Sequence, residues 1–324
     1  MNFNQNIKSF FDASLCLTNH IRIIIDLLPD EIKSCAQEIR LRVNKSISIV
    51  CPNKSYFLAP DGSASESCTP LFVTPMDIND IFKSICNYSM YTHQEQIRNG
   101  YITFRGGHRA GICGTAIISN NQIVNLRDIS SINIRIAREK KSSANEIIHR
   151  LGKNIGKTLI AGPPSSGKTT LLRDIARQLS YNNKVCITDE RGEIGCVYRG
   201  IPQCDIGLCD ILNGYPKGEG ILQAIRALSP DIIICDEIGS ENDAISIEAS
   251  LNSGVDIIAS IHAANLNELM NRKQAQRLLS TGAFNKIVML QDRSSPCKIN
   301  NIYKVDESDV KINRINNSVN NGNS

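Results

Sequence analysis

Residues 157–172 read KTLIAGPPSSGKTTLL. Within them Gly162, Pro163, Pro164, Ser165, Ser166, Gly167, Lys168 and Thr169 match the phosphate-loop pattern G-x-x-x-x-G-K-[ST] in full. The flanks supply the context that the pattern needs. Residues 158–161 form a short apolar run that suits a buried strand, and residues 170–179 carry apolar side chains at helical spacing. Gly162 and Gly167 let backbone amides turn toward an anion with no side chain in the way. The helix opening at the loop aims its positive end and its unpaired N–H groups at the same point. In this arrangement Lys168 reaches the outer phosphates of a nucleotide, Thr169 offers its hydroxyl to Mg²⁺, and Thr170 completes the cradle.

A second domain of α/β type extends outward from this loop. Strands are expected at 158–161, 184–188, 231–235 and 255–261, with helices after the loop, at 220–228 and at 242–253. Strand and helix in alternation imply a parallel sheet with helices on both faces. The continuous run Ile232, Ile233, Ile234, Cys235 suits a strand covered on both sides. It ends in Asp236 and Glu237 at the carboxyl edge of the sheet, where the phosphate loop also lies. Asp236 suits magnesium through its water shell, and Glu237 suits orienting and deprotonating a water. The preceding strand ends in Asp189, Glu190, Arg191, Gly192 and Glu193, a charge cluster that faces a cation, its own opposite charges or, as a solvated loop, water. Glu190 is taken from it as a catalytic candidate. A third strand ends in His262, placed to contact a terminal phosphate.

Upstream, residues 1–138 read as a smaller mixed α/β domain. A helical lead-in precedes a helix capped by Asp30. Residues 38–43 and 46–50 alternate around Asn44 and Lys45 as a hairpin does, and Tyr56–Leu58 adds a strand. Thr74 and Pro75 start another helix. Strands at 100–104 and 110–118 flank the glycine turn at Gly106 and Gly107, and residues 131–137 form a further strand. The ATPase-type domain is expected over 139–306, and the Asn- and Ser-rich residues 307–324 as a disordered tail.

Bulk properties narrow the classes. The 324 residues suit about two domains. A net charge of +4, no Trp and 5% aromatics speak against nucleic acid as the main partner. No run approaches the length of a membrane span, and the charged stretch 21–28 suits a core helix. No apolar leader opens the chain. The 12 Cys are scattered without a CxxC pair, so reduced thiols in the cytoplasm are expected, and no structural zinc site.

The three strand ends, in this order, resemble the acidic box, Walker B and histidine box of the secretion-ATPase superfamily, the motors of type II and type IV secretion and of pili. More specifically, Gly106-Gly107-His108-Arg109, residues 130–139, residues 188–193 and Cys235-Asp236-Glu237-Ile238-Gly239 are similar to the stage III sporulation protein AA family. The similarity covers about residues 20–305. It implies a RecA-like P-loop domain that binds ATP and Mg²⁺, and a hexameric ATPase. By the same resemblance the protein sits in the cytoplasm, peripheral at the mother-cell side of the forespore membranes, and serves a feeding-tube-like channel through integral membrane sporulation proteins. Arg127, Arg135 and Arg138 lie where such motors supply an arginine to the neighbouring subunit's phosphate, with Arg135 or Arg138 preferred. The chain departs from secretion motors at Asp236, where they usually carry Gly, and it lacks their CxxC. Two other functions stay open: a nucleotide-gated scaffold with little hydrolysis, and a RecA-like ATPase acting on nucleic acid.

Overall fold

A computed structural model describes residues 3–89, 93–98, 100–138, 140–152, 155–305 and 312–314. The chain packs as two units. One is Met1–Arg138 together with Cys196–Cys204, and the other is Glu139–Gly195 together with Asp205–Ser324. Nine residues inside the expected second domain therefore pack with the first.

The first unit begins with helices α1 (Phe3–Ser14), α2 (Asn19–Ile25) and α3 (Asp30–Cys35). Pro29, not Asp30, is the cap of α3, and Asp30 sits in the first turn, where its charge suits the positive helix end. Strands β1 (Glu38–Arg42), β2 (Ser48–Val50), β3 (Ser55–Leu58) and β4 (Ala64–Ser65) follow. Next come α4 (Pro75–Ile85), α5 (Gln94–Arg98), β5 (Tyr101–Phe104), β6 (His108–Ser119) and β7 (Gln122–Arg135). The described residues form a seven-stranded sheet in the order β4-β3-β2-β1-β7-β6-β5, antiparallel at every pairing.

Helix α4 starts where the sequence places it, through a reciprocal cap. Thr74 Oγ1 accepts from the Asp77 amide at 3.1 Å, and Asp77 Oδ2 accepts from the Thr74 amide at 2.9 Å. Asp77 also accepts from Thr18 at 3.0 Å, which ties the helical lead-in to the helix start.

Strand β7 is longer than its apolar signature. Ile132 and Ile134 are buried, and the alternation around them marks the strand. Its first half pairs with the outer half of β6, where every residue from Cys113 to Ser119 is exposed. In this half of β7 the apolar residues Val124, Leu126 and Ile129 are only half-buried, so its alternation is weaker than that around Ile132 and Ile134.

Arg138 closes this unit. Its guanidinium donates to the carbonyls of Ser34 and Ala36, holding the end of α3 against the residues that follow β7. Cys35 and Cys51, expected as free thiols, are joined in a disulfide with Cα atoms 5.4 Å apart. The fold brings the end of α3 beside the end of β2, a proximity that spacing in sequence does not reveal.

The second unit comprises α6 (Asn145–Leu151), β8 (Thr158–Gly162), α7 (Lys168–Leu179), β9 (Val185–Asp189), β10 (Asp210–Asn213), α8 (Lys217–Leu228) and β11 (Ile232–Glu237). It continues with α9 (Glu241–Ala249), β12 (Asp256–His262), α10 (Leu266–Met270), α11 (Lys273–Ser280), β13 (Lys286–Leu290), β14 (Ile299–Val305) and β15 (Ile312–Arg314). The eight described strands run β10-β9-β11-β12-β8-β13-β14-β15. Pairing is parallel from β10 to β13 and antiparallel beyond. The expected tail 307–324 lies outside the described residues except for β15.

Both faces of this sheet are buried, as parallel sheets require. Leu159, Ala161, Ile233, Ala259 and Ile261 face the core under α8, α9 and α11. Ile160, Ile187, Ile234, Ile258 and Val288 face the opposite core under α6 and α7. Alternate residues of one strand serve opposite cores, which explains the unbroken apolar runs.

His108 in the first unit is 1% exposed, and its Nδ1 accepts from the Ala137 amide at 3.0 Å. Gly106, at φ 81°, packs so close that a side chain there would strike the imidazole. Burial pushes the histidine down from 6.5 to about 4. The unfolded chain therefore binds the extra proton first as pH falls, so this contribution to stability is complete above 6.5 and is lost between 6.5 and about 4. At 1.36 kcal/mol per pH unit the loss is about 3 kcal/mol. Urea unfolding at pH 7 and pH 4.5 should show a smaller acid-induced loss for His108→Gln than for the wild type.

Candidate functional site

The site is set by where parallel strands stop. β8, β9, β11 and β12 pair side by side, so their carboxyl ends lie along one edge. Gly162, Asp189, Glu237 and His262 end these four strands. This is the edge at which open α/β sheets bind ligands.

The loop after β8 is held from two sides. Gly167 adopts φ 89°, and a Cβ there would meet the backbone amide of Cys297 at 2.9 Å. That amide donates to the Ser166 carbonyl at 2.8 Å, so the segment before β14 clamps the loop. At Gly162 a Cβ would collide with the Ser166 hydroxyl at 2.6 Å. Ser166 is fully buried, and its hydroxyl has no hydrogen-bond partner among the described residues. Gly167 is thus fixed by space and by conformation, and Gly162 by space alone. Pro163 lies between, half-buried. Pro164, Ser165, Gly167, Lys168, Thr169 and Thr170 line a cavity of about 530 Å³, within the range of small-ligand sites. Opposite them it is lined by Arg191, Glu193, Asp236, Glu237, Ser260 and His262. A larger cavity of about 690 Å³ beside α4 in the first unit is mostly apolar. Chemistry, not volume, singles out the smaller one.

Lys168 is 7% exposed. Its ammonium donates to the carbonyls of Gly162 at 2.8 Å and Pro163 at 2.9 Å, and lies 3.0 Å from His262 Nδ1. His262 Nε2 lies 2.9 Å from Glu237 Oε2. The chain Lys168 to His262 to Glu237 is satisfied when the imidazole carries its proton on Nε2. Burial lowers Lys168 to about 8, against the pull of the Glu237 charge in the other direction. Three residues chosen from separate stretches of sequence are thereby brought into one hydrogen-bonded line.

The acidic cluster after β9 divides by role. Asp189 is fully buried and accepts from the amides of Glu193 at 2.8 Å, Ile194 at 3.0 Å and Gly195 at 2.9 Å. It staples the loop rather than facing a ligand. Burial raises its pKa despite these three donors. Glu190 is exposed, with its carboxylate 3.8 Å from Lys217. Arg191 reaches to 3.9 Å from Glu237 Oε2. Arg173 on α7 donates to the carbonyls of Glu193 and Ile194 and fixes the loop against the phosphate-loop helix.

Asp236, read from sequence as the magnesium partner, lines the cavity and has the Lys217 ammonium beside it, with Nζ 2.9 Å from its Oδ1. Lys217 escaped the sequence reading. A signal existed, because a lysine at the first position of a helix opposes the positive helix end and needs acidic company. Of the two arginines preferred from sequence, Arg138 is engaged by carbonyls within its own unit. Arg135, at the end of β7, is largely exposed and 3.5 Å from Glu38. Hydroxyl and carboxylate oxygens on the cavity wall, that of Thr169 among them, are hard donors of the kind that suit magnesium.

Comparison with known proteins shows the family and the fold. Residues 13–310 match the family model described as sporulation stage III, protein AA. Stage III sporulation protein AA of Bacillus subtilis (strain 168) is 37% identical over 302 residues, covering 87% of this chain and 95% of that protein. Among solved structures, the Legionella pneumophila ATPase DotB superposes with a TM-score of 0.53 at 16% identity, over 84% of this chain and 74% of that one. The pilus retraction motor PilT with bound ADP superposes with a TM-score of 0.55 at 14% identity, over 83% and 76%. At these identities the structural likeness speaks for a shared α/β ATPase fold.

A phosphate taken by Lys168 needs the ammonium form. Affinity for a phosphate-bearing ligand should be full below pH 8 and should fall as pH rises through about 8, by up to tenfold per pH unit. Titration with a fluorescent ATP analogue from pH 7 to 9.5 reads this directly.

Proposed function

Because the chain belongs to the sporulation stage III, protein AA family, we propose that it is a magnesium-dependent ATP hydrolase that works as a ring-forming motor. The observation that carries this reading is the line from Lys168 through His262 to Glu237 on the wall of the phosphate-loop cavity. It holds a phosphate-binding cation, a candidate sensor and a candidate base within hydrogen-bond reach of one another.

Lys168 exchanges its partners at Gly162 and Pro163 for the outer phosphates of ATP, with backbone amides of residues 163–170 completing the cradle. Thr169 would hold the magnesium that accompanies the nucleotide, which would supply charge neutralisation at the transferred phosphate. Glu237 orients the attacking water and accepts its proton. His262, once Lys168 has turned to phosphate, donates from Nδ1 to the terminal phosphate in its doubly protonated form, with Nε2–H still on Glu237, and so couples bond cleavage to the strand that carries Glu237. Glu190 acts at the edge of this site. An arginine from a neighbouring subunit would stabilise the transition-state charge. Arg135 is the better candidate, since Arg138 is held by Ser34 and Ala36.

The wider role rests on the family and on the shared fold. A homo-oligomer, hexameric by analogy with secretion motors, would power or assemble a sporulation-specific membrane channel. Among the described residues no helix is long and apolar enough to cross a membrane. Membrane attachment then runs through integral membrane partners, with the protein peripheral on the mother-cell side.

Phosphate-release assays on purified protein test the chemistry. Lys168→Ala should abolish turnover. Glu237→Gln should bind ATP and lose at least ~10²-fold in turnover, the scale of a lost general base. Robust hydrolysis in either variant overturns the reading. Arg135→Ala should lower turnover of the assembled ring, whereas Arg138→Ala should lower the unfolding midpoint first.

A further inference from the structure

Helix α8 opens with a lysine that the site should not tolerate. Lys217 is 4% exposed and stands at the positive end of its helix, where a second positive charge is unfavourable. Burying an ammonium is costly unless acids and hydrogen-bond acceptors compensate. Here they do. Asp236 Oδ1 lies 2.9 Å from Nζ, Glu190 Oε2 3.8 Å and Asp243 Oδ2 3.9 Å, and the Glu237 carbonyl accepts a hydrogen bond from the same nitrogen. Burial by itself lowers the lysine, but Asp236 and Asp243 outweigh it and hold the ammonium charged.

The position is built rather than incidental. A Cβ on Gly218 would collide with Ser246 of α9, and one on Gly220 would press on Thr188 of β9. The start of α8 is therefore wedged between α9 and the strand that neighbours β11. The Lys217 side chain extends to the end of β11, where it meets the side chain of one acid and the backbone of the next.

We propose that Lys217 is the cation Asp236 serves, so that Asp236 is not a magnesium ligand and Lys217 is the positioning residue that fixes Glu237. The assignment rests on the hydrolase reading for its effect on turnover, but not for the pairing itself. A strand ending in two acids invites the assignment of the first to metal. The geometry gives that carboxylate a buried lysine instead. The lysine pins the carbonyl of Glu237, and with it the direction in which its carboxylate meets His262 and Arg191. The two lysines of the site then have separate tasks: Lys168 takes phosphate, and Lys217 holds the base in place.

The test uses the full chain in four forms: wild type, Asp236→Asn, Lys217→Met and the double variant. Three readouts are taken. They are the Mg²⁺ concentration for half-maximal binding of a fluorescent ATP analogue, the unfolding midpoint, and kcat and KM for phosphate release. Thr169→Ala serves as the metal-ligand control and should raise the Mg²⁺ requirement at least tenfold. Asp236→Asn should change it less than twofold. Lys217→Met should unfold several degrees lower, because it strands a buried carboxylate, and the double variant should regain most of that loss. The double variant should also keep the wild-type KM within threefold while kcat stays at least tenfold down, since the Glu237 carbonyl has lost its anchor.

A tenfold rise in Mg²⁺ requirement for Asp236→Asn overturns the proposal. So does a double variant no more stable than Lys217→Met, or one that recovers full kcat. If Lys217→Met does not fold, folding of the double variant supports the pairing and failure of both opposes it. If the wild type binds ATP without hydrolysing it, the hydrolase reading fails, while the Mg²⁺ titration and the unfolding midpoints still decide the pairing.

Discussion

Parallel pairing of β8, β9, β11 and β12 is the constraint on which everything else depends. Each strand buries both faces, so none can slip by a residue without moving side chains between the two cores. Register is therefore fixed, and with it the height at which each strand delivers its last residue. Glu237 and His262 meet at 2.9 Å because Glu237 pairs with Ser260 and His262 with Gly162, a set of ladder positions that side-chain chemistry alone could not impose.

Around that edge, positive charge is placed with economy. Lys168 and Lys217 are both buried, yet their surroundings differ. Lys168 leans on carbonyls and a histidine, none of which carries a full opposing charge in direct contact, and burial lowers it to about 8. Lys217 sits among carboxylates and is held charged. A group with replaceable neutral partners is suited to change partners during a cycle, whereas one locked to a buried carboxylate is suited to hold position. The acidic loop shows the same division. Asp189 spends its oxygens on three backbone amides, and that leaves Arg191 and Glu193 to face the cavity.

In the first unit, polar groups again decide the geometry of elements that apolar packing only brings together. Thr18, Thr74 and Asp77 lock the lead-in to α4, and Arg138 locks α3 to the strand exit. The excursion of Cys196–Cys204 into this unit follows directly on Gly195, whose amide is bonded by Asp189. The loop that lines the cavity is thus continuous in chain with a segment belonging to the other unit.

Local pattern alone was enough to read the phosphate loop, the four strands that end at the site and the helix start at Thr74. Each of these depends on short-range rules: glycine conformations, apolar runs covered on both faces, and a side chain reaching three residues along a helix. The identities of Lys168, Glu237 and His262 as candidates came from the same rules. Tertiary structure decided what those rules cannot hold. It separated Asp189 as a staple from its charged neighbours, set Lys217 beside Asp236, closed Arg138 on two carbonyls, joined Cys35 to Cys51 and extended β7 into a ribbon whose apolar residues are only half-buried. Charge partners are chosen by distance in space, and Lys217 and Asp236 are neighbours only after β11 and α8 have packed; no spacing in the sequence encodes that pair.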